Sequence, residues 1–157
     1  MKIKAIFFIL FFLPILLIAQ KNSTIQFIEN KGQFNKNVDY KLGIKNGDIF
    51  FNKNKITFNL YNKNKLSELK HSKEKNSSNL IEAHAYSVEF YNSSTKKIIA
   101  LDTSVNYNNY FLGNDKSKWA SKVKIFQKIY YKEVFDNIDL SYYEHFGKLK
   151  YDFIVHP

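Results

Sequence analysis

Along most of the chain apolar and polar residues alternate with a period of two, the spacing at which a β-strand sorts its side chains onto two faces. VDYKLGI sets Val38, Tyr40, Leu42 and Ile44 against Asp39, Lys41 and Gly43. KITFNLY sets Ile56, Phe58 and Leu60 against Thr57, Asn59 and Tyr61. TIQFIEN places Ile25, Phe27 and Glu29 on one side, and AHAYSVEFY does the same with His84, Tyr86, Val88 and Phe90. KKIIALD reads as a further short run, and SVNYNNYFLGN leads to a turn at Gly113–Asn114. In KVKIFQKIYYKEVF, Val123, Ile125, Gln127, Ile129 and Tyr131 oppose their neighbours, and the β-branched and aromatic content favours strand over helix.

The runs are short and end in clusters of Asn, Gly and Lys, as antiparallel strands do. Asn46-Gly47 is the strongest hairpin-turn signal. IDLSYY, a turn at HFG and KLKYDFIV form a last hairpin, with Leu149, Tyr151, Phe153 and Val155 on one face. About nine or ten strands with little helix predict an all-β fold, an antiparallel β-sandwich or related double-sheet domain. No partner strand follows KLKYDFIVHP, so the domain is read as incomplete at its C-terminus, with one edge of unpaired backbone groups.

Two segments break the alternation. Residues 1–19 join Lys2 and Lys4 to the uncharged run AIFFILFFLPILLIA, the layout of a secretory signal peptide cleaved after Ala19. The run is about 15 residues, short of the roughly 20 that a spanning helix needs, and Pro14 interrupts it. Gln20 to Pro157 then forms a single β-rich domain, with no membrane span expected after cleavage. Residues 62–79 are polar, with only two aliphatic residues, and read as a solvent-exposed insertion, either irregular or holding a short helix near Lys65 to Lys75.

Charge narrows the function classes. The chain has 24 basic and 14 acidic residues, and every basic one is Lys. Without Arg the planar, bidentate recognition of phosphates and bases is missing, so no nucleic-acid partner is expected. The excess of Lys reads mainly as composition and solubility, with weak attraction to an anionic surface or polysaccharide as the remaining role. The absence of Cys removes disulfides and thiolate metal sites, so the domain must fold on packing alone.

Catalytic chemistry finds little support. His71, His84, His145 and His156 lie on separate elements with no ligand-pair spacing, and no metal or other cofactor is expected. Ser87 and Ser141 lack a nucleophile-elbow context, and nothing sets Glu133 and Asp136 at the separation of glycosidase acids. Asn114, Asp115 and Ser117, and likewise Asp136, Asn137 and Asp139, supply oxygens at turns, where side-chain capping is the better reading than ion binding. The aromatic residues Trp119, Tyr107, Tyr110, Tyr142 and Tyr143 are the candidate ligand-binding set, as a stacking platform for a sugar or peptide; core packing is the competing reading.

Four blocks, FIENKGQF, NYFLGNDKSKWASKV, YYKEVFDNIDLSYY and GKLKYDFIVHP, resemble in this order the N-terminal β-rich domain of large secreted Bacteroidota proteins. Such proteins carry SBBP-type repeats or gliding-motility-associated, type IX sorting modules further along. Where the family has a proline near the NYFLG glycine, this chain has Asn114, Asp115 and Lys116. The resemblance implies an extracellular or outer-surface module with no catalytic residues, linked to downstream domains of the same protein. The expectation is a noncatalytic structural module; the alternative is an adhesin-like module that binds carbohydrate or protein.

Overall fold

The structure, a computed structural model, describes residues 25–71 and 80–157. The leader proposed for residues 1–19 lies outside them, as does the second half of the polar insertion. The described chain is all-β, dominated by one curled antiparallel sheet, a half-barrel consistent with a sandwich-like fold. Its strands are β1 (Phe27–Glu29), β2 (Tyr40–Ile44), β3 (Gly47–Phe51), β4 (Lys55–Tyr61), β5 (Ala83–Glu89), β6 (Lys97–Tyr110), β7 (Ala120–Phe135), β8 (Ile138–His145) and β9 (Lys148–Val155). One helix, α1 (Lys63–His71), follows β4, and a 3-10 turn spans Lys116–Lys118. Asn62 caps α1, its Oδ1 accepting from the backbone of Asn64 and Lys65.

The strand order is β5-β4-β3-β2-β1-β7-β8-β9, with β6 along the other edge of β7. The 16-residue β7 is the hinge of this arrangement. On one edge it pairs first with β1, Phe27 opposite Phe126, and then with β8, Ile129 opposite Tyr142. Lys122 and Glu133 within it have left-handed φ of +51°. The ladder with β8 shifts register between Tyr131 and Phe135, the mark of a bulge, which bends a strand and raises its twist. The β1–β5 arm thereby curls over the β7–β9 arm.

The core lies between the two arms. Phe27, Leu42, Phe51 and Ile56 from the first meet Ile129, Tyr131, Val134 and Leu140 from the second, all fully buried. Phe51 stands edge-on to Tyr142 at 5.4 Å, and Phe90 to Tyr131 at 5.6 Å. The Tyr131 hydroxyl donates to the Asn52 carbonyl at 3.1 Å, tying β7 to the β3–β4 turn. Burial holds this phenol far above its ordinary pKa, so it stays a neutral donor.

Two local readings shift. The β2–β3 hairpin turns at Lys45–Asn46, one residue earlier than the Asn-Gly pair implies, because Gly47 is already paired with Ile44. KKIIALD and SVNYNNY form the single strand β6, which crosses Asp102 at φ +56°. By contrast the β8–β9 turn falls at Phe146–Gly147, inside HFG, both residues having positive φ as a type I′ turn requires.

Candidate functional site

Three places on the domain concentrate aromatic, charged or hydrogen-bonding groups. The five aromatic candidates do not converge on one of them. Tyr142 and Tyr143 are successive in β8 and face opposite ways. Tyr142 points to the core, its ring near Phe51, Tyr131 and Tyr151, and burial pushes its phenol up to about 12. Tyr143 faces outward, donates to Asp152 at 2.7 Å and lies under the Lys128 ammonium.

Tyr107 and Tyr110 sit in the second half of β6, opposite Lys124 and Ala120. Tyr107 is exposed, whereas Tyr110 is half-buried, edge-on to Phe34 at 5.7 Å. Trp119 closes the 3-10 turn next to Ala120 and is 39% exposed. Its indole Nε1 donates to the Gly113 carbonyl at 3.2 Å, and its ring meets Phe111 at 5.7 Å. Asp115 caps that turn, accepting from the backbone and hydroxyl of Ser117.

The second place is a buried carboxylate. Asp139 is wholly enclosed and accepts from the Tyr130 hydroxyl, the Glu133 backbone N–H at 2.6 Å, the Lys132 ammonium at 3.4 Å and His156 Nε2 at 2.6 Å. Burial alone would raise its pKa. The donations from Tyr130, Glu133, His156 and Lys132 outweigh that and hold it well below the carboxylate range. The same carboxylate pushes the Tyr130 phenol up to about 12. Asp139 thus clamps the bulge at Glu133 from the neighbouring strand. Among the described residues Asp139 is the only side-chain partner of His156. The described residues hold no group of three His, Asp or Glu placed to bind an ion.

The third place was not picked out by sequence reasoning. The loop between β1 and β2 and the turn between β3 and β4 lie side by side at one end of the sheet, with the Asp39 N–H donating to the Phe51 carbonyl. Together with the outward face of β2–β4 they enclose an open cleft of about 880 Å³. Lys36, Lys41, Lys53 and Lys55 line it against one acid, Asp39. Burial raises the Asp39 carboxyl, with the Lys53 charge opposing. The only sequence signal for the cleft is that QFNKNVD and NKNK are both rich in Asn and Lys; nothing local says that they meet.

Curled β-sheet, buried carboxylate clamp and basic cleft are the features of this all-β module. The chain belongs to a family described as a domain of unknown function (DUF7948), whose model matches residues 27–157. No curated protein and no solved structure matches it.

Proposed function

We propose that the chain is a noncatalytic structural module of an exported or cell-surface protein, with its outer strands covered by neighbouring protein. Export rests on the charged and apolar pattern of residues 1–19. No helix among the described residues is long and apolar enough to cross a membrane.

The observation that carries the reading is the inner face of β9. Tyr151, Phe153 and Val155 are 60%, 52% and 72% exposed. Yet they stand opposite Tyr142, Leu140 and Ile138, residues of the core or packed on it. The core therefore runs out into an uncovered apolar row. His156 donates its N–H to the Asn137 carbonyl, which makes that pair a hydrogen-bonded one. Bonded and non-bonded pairs alternate in an antiparallel ladder, so the backbone groups of Tyr151, Phe153 and Val155 point away from β8. A strand laid along this edge would gain hydrogen bonds and cover the apolar row together. On the opposite outer strand, Tyr86 and Val88 of β5 are also exposed, continuing the row from Phe58 and Ile56.

The chain from Gln20 to Pro157, purified by itself, is expected to bind a hydrophobic dye and to self-associate with rising concentration. Changing both Phe153 and Val155 to Lys should lower both signals without loss of β-sheet circular dichroism. A wild-type chain that is monodisperse, dye-negative and cooperatively unfolding would overturn the reading.

A further inference from the structure

The basic cleft goes beyond this reading, because it lies on the outward face of the sheet, away from the β9 row. Lys41, Phe50 and Thr57 line it, and their strand neighbours Leu42, Phe51 and Ile56 are in the core. The cleft is held in shape by amide side chains. Asn30 Oδ1 accepts from the backbone of Gly32 and Phe34, and its Nδ2 donates to the carbonyls of Asn35 and Val38. Across from this loop, Asn52 Oδ1 accepts from the Lys55 N–H at 2.8 Å, closing the turn that presents Lys53. A site fixed in this way loses little freedom when a ligand arrives.

The cations differ in commitment. Lys41 is fixed: it pairs with Asp48 at 3.2 Å and its ammonium lies over the rings of Phe34 and Phe50, at 5.4 and 5.8 Å. Lys36, Lys53 and Lys55 form no salt bridge among the described residues. A second cleft of about 480 Å³ shares Lys36 and Lys53 and adds Lys97. Of its two acids, Asp39 is shared with the first cleft, and Glu29 accepts from the Lys124 N–H at 2.8 Å, so that carboxylate is already engaged.

Cations spread over two joined clefts fit a chain of regularly spaced negative charges better than one small anion. All are ammonium groups, point charges that meet single anionic groups without the bidentate geometry of guanidinium, so the choice of a sugar chain rests on the rings and amides beside them. The half-exposed rings of Phe34 and Phe50 add apolar surface, and the Asn37 and Asn54 side chains add amides suited to hydroxyl groups. We propose that this groove binds an acidic polysaccharide, a chain of uronate-type sugars whose carboxylates meet Lys36, Lys53 and Lys55 while sugar faces lie along Phe34 and Phe50.

Titration of the chain from Gln20 with polygalacturonate, neutral dextran and single-stranded oligo-dT tests this. Saturable binding of polygalacturonate, weakened by salt and absent with dextran, is expected. Replacing Lys36 and Lys53 together by Ala should weaken it about tenfold, whereas Lys148→Ala with Lys150→Ala, an equal loss of charge on β9, should change it by less than about twofold. The paired Lys→Arg replacements at positions 36 and 53 should retain binding, which separates lost charge from lost fold. Three results would overturn the proposal: no saturable binding, equal loss in both alanine pairs, or tighter oligo-dT binding with the same dependence on Lys36 and Lys53. The β9 test is scored on self-association, so either reading can fail alone.

Discussion

Gly47→Ala is expected to cost at least about 3 kcal/mol, a large share of the roughly 5–15 kcal/mol that holds a domain folded. Gly47 opens β3 with φ +149°, a conformation that side-chain-bearing residues rarely adopt. It also pairs on both sides, with Ile44 in β2 and Leu60 in β4. A Cβ built there would lie 2.1 Å from the Asn59 carbonyl oxygen and 2.9 Å from the Leu60 Cα. Those are backbone atoms of a strand paired on both edges, with β3 and with β5, so relief would require breaking the ladder. Gly113→Ala is the matched control. Its φ of +71° is also left-handed, but nothing lies within 4 Å of the added Cβ. Only the backbone term remains there, about 1 kcal/mol. Urea midpoints followed by circular dichroism should fall much further for the first variant than for the second. Equal shifts would mean that backbone conformation, and not the approach of β4, sets the demand for glycine at position 47.

Gly47 also shows how far the sequence was legible. Asn46-Gly47 rightly announces a hairpin, but turn chemistry alone does not say which residue already belongs to a strand. The alternation in VDYKLGI and KITFNLY put Leu42 and Ile56 on the apolar face of their strands, and both are fully buried. The same alternation put Tyr86 and Val88 on one face with Phe90 without showing that β5 is an outer strand, which leaves Tyr86 and Val88 exposed. The bulge at Glu133 was illegible, because it depends on Asp139, six residues away across a turn. The basic cleft was illegible for the same reason on a larger scale: it exists only once Lys36 and Lys53, on different connections, are brought to one end of the sheet. Period two reports which face a residue takes, and it is silent about which loops become neighbours.

Asp139 supplies the second large effect. Asp139→Ala is expected to destabilise the domain by about 3 kcal/mol, the scale for removing one partner of a buried charged network. Four donors lose their acceptor at once: the Tyr130 hydroxyl, the Glu133 N–H, the Lys132 ammonium and His156 Nε2. The Glu133 N–H matters most, because that residue sits at φ +51° in the bulge and its donation to Asp139 reaches across from β7 to β8. The pH dependence has a definite sign. The folded pKa of Asp139 lies below its unfolded value of about 3.9, so its contribution is complete above about pH 5 and is lost as pH falls further. Glu133 is also lowered, chiefly by its hydrogen bond with Lys96, and titrates with the same sign, but that pair is largely exposed and screened. Comparing wild type with Asp139→Asn removes the Glu133 contribution from the difference, since both proteins retain it. The gap between their urea midpoints should be widest near pH 7 and should narrow steadily from about pH 5 to about pH 2. A gap that stays constant through that range would show that Asp139 acts through shape and neutral hydrogen bonds, and that its charge does not hold the β7 bulge in place.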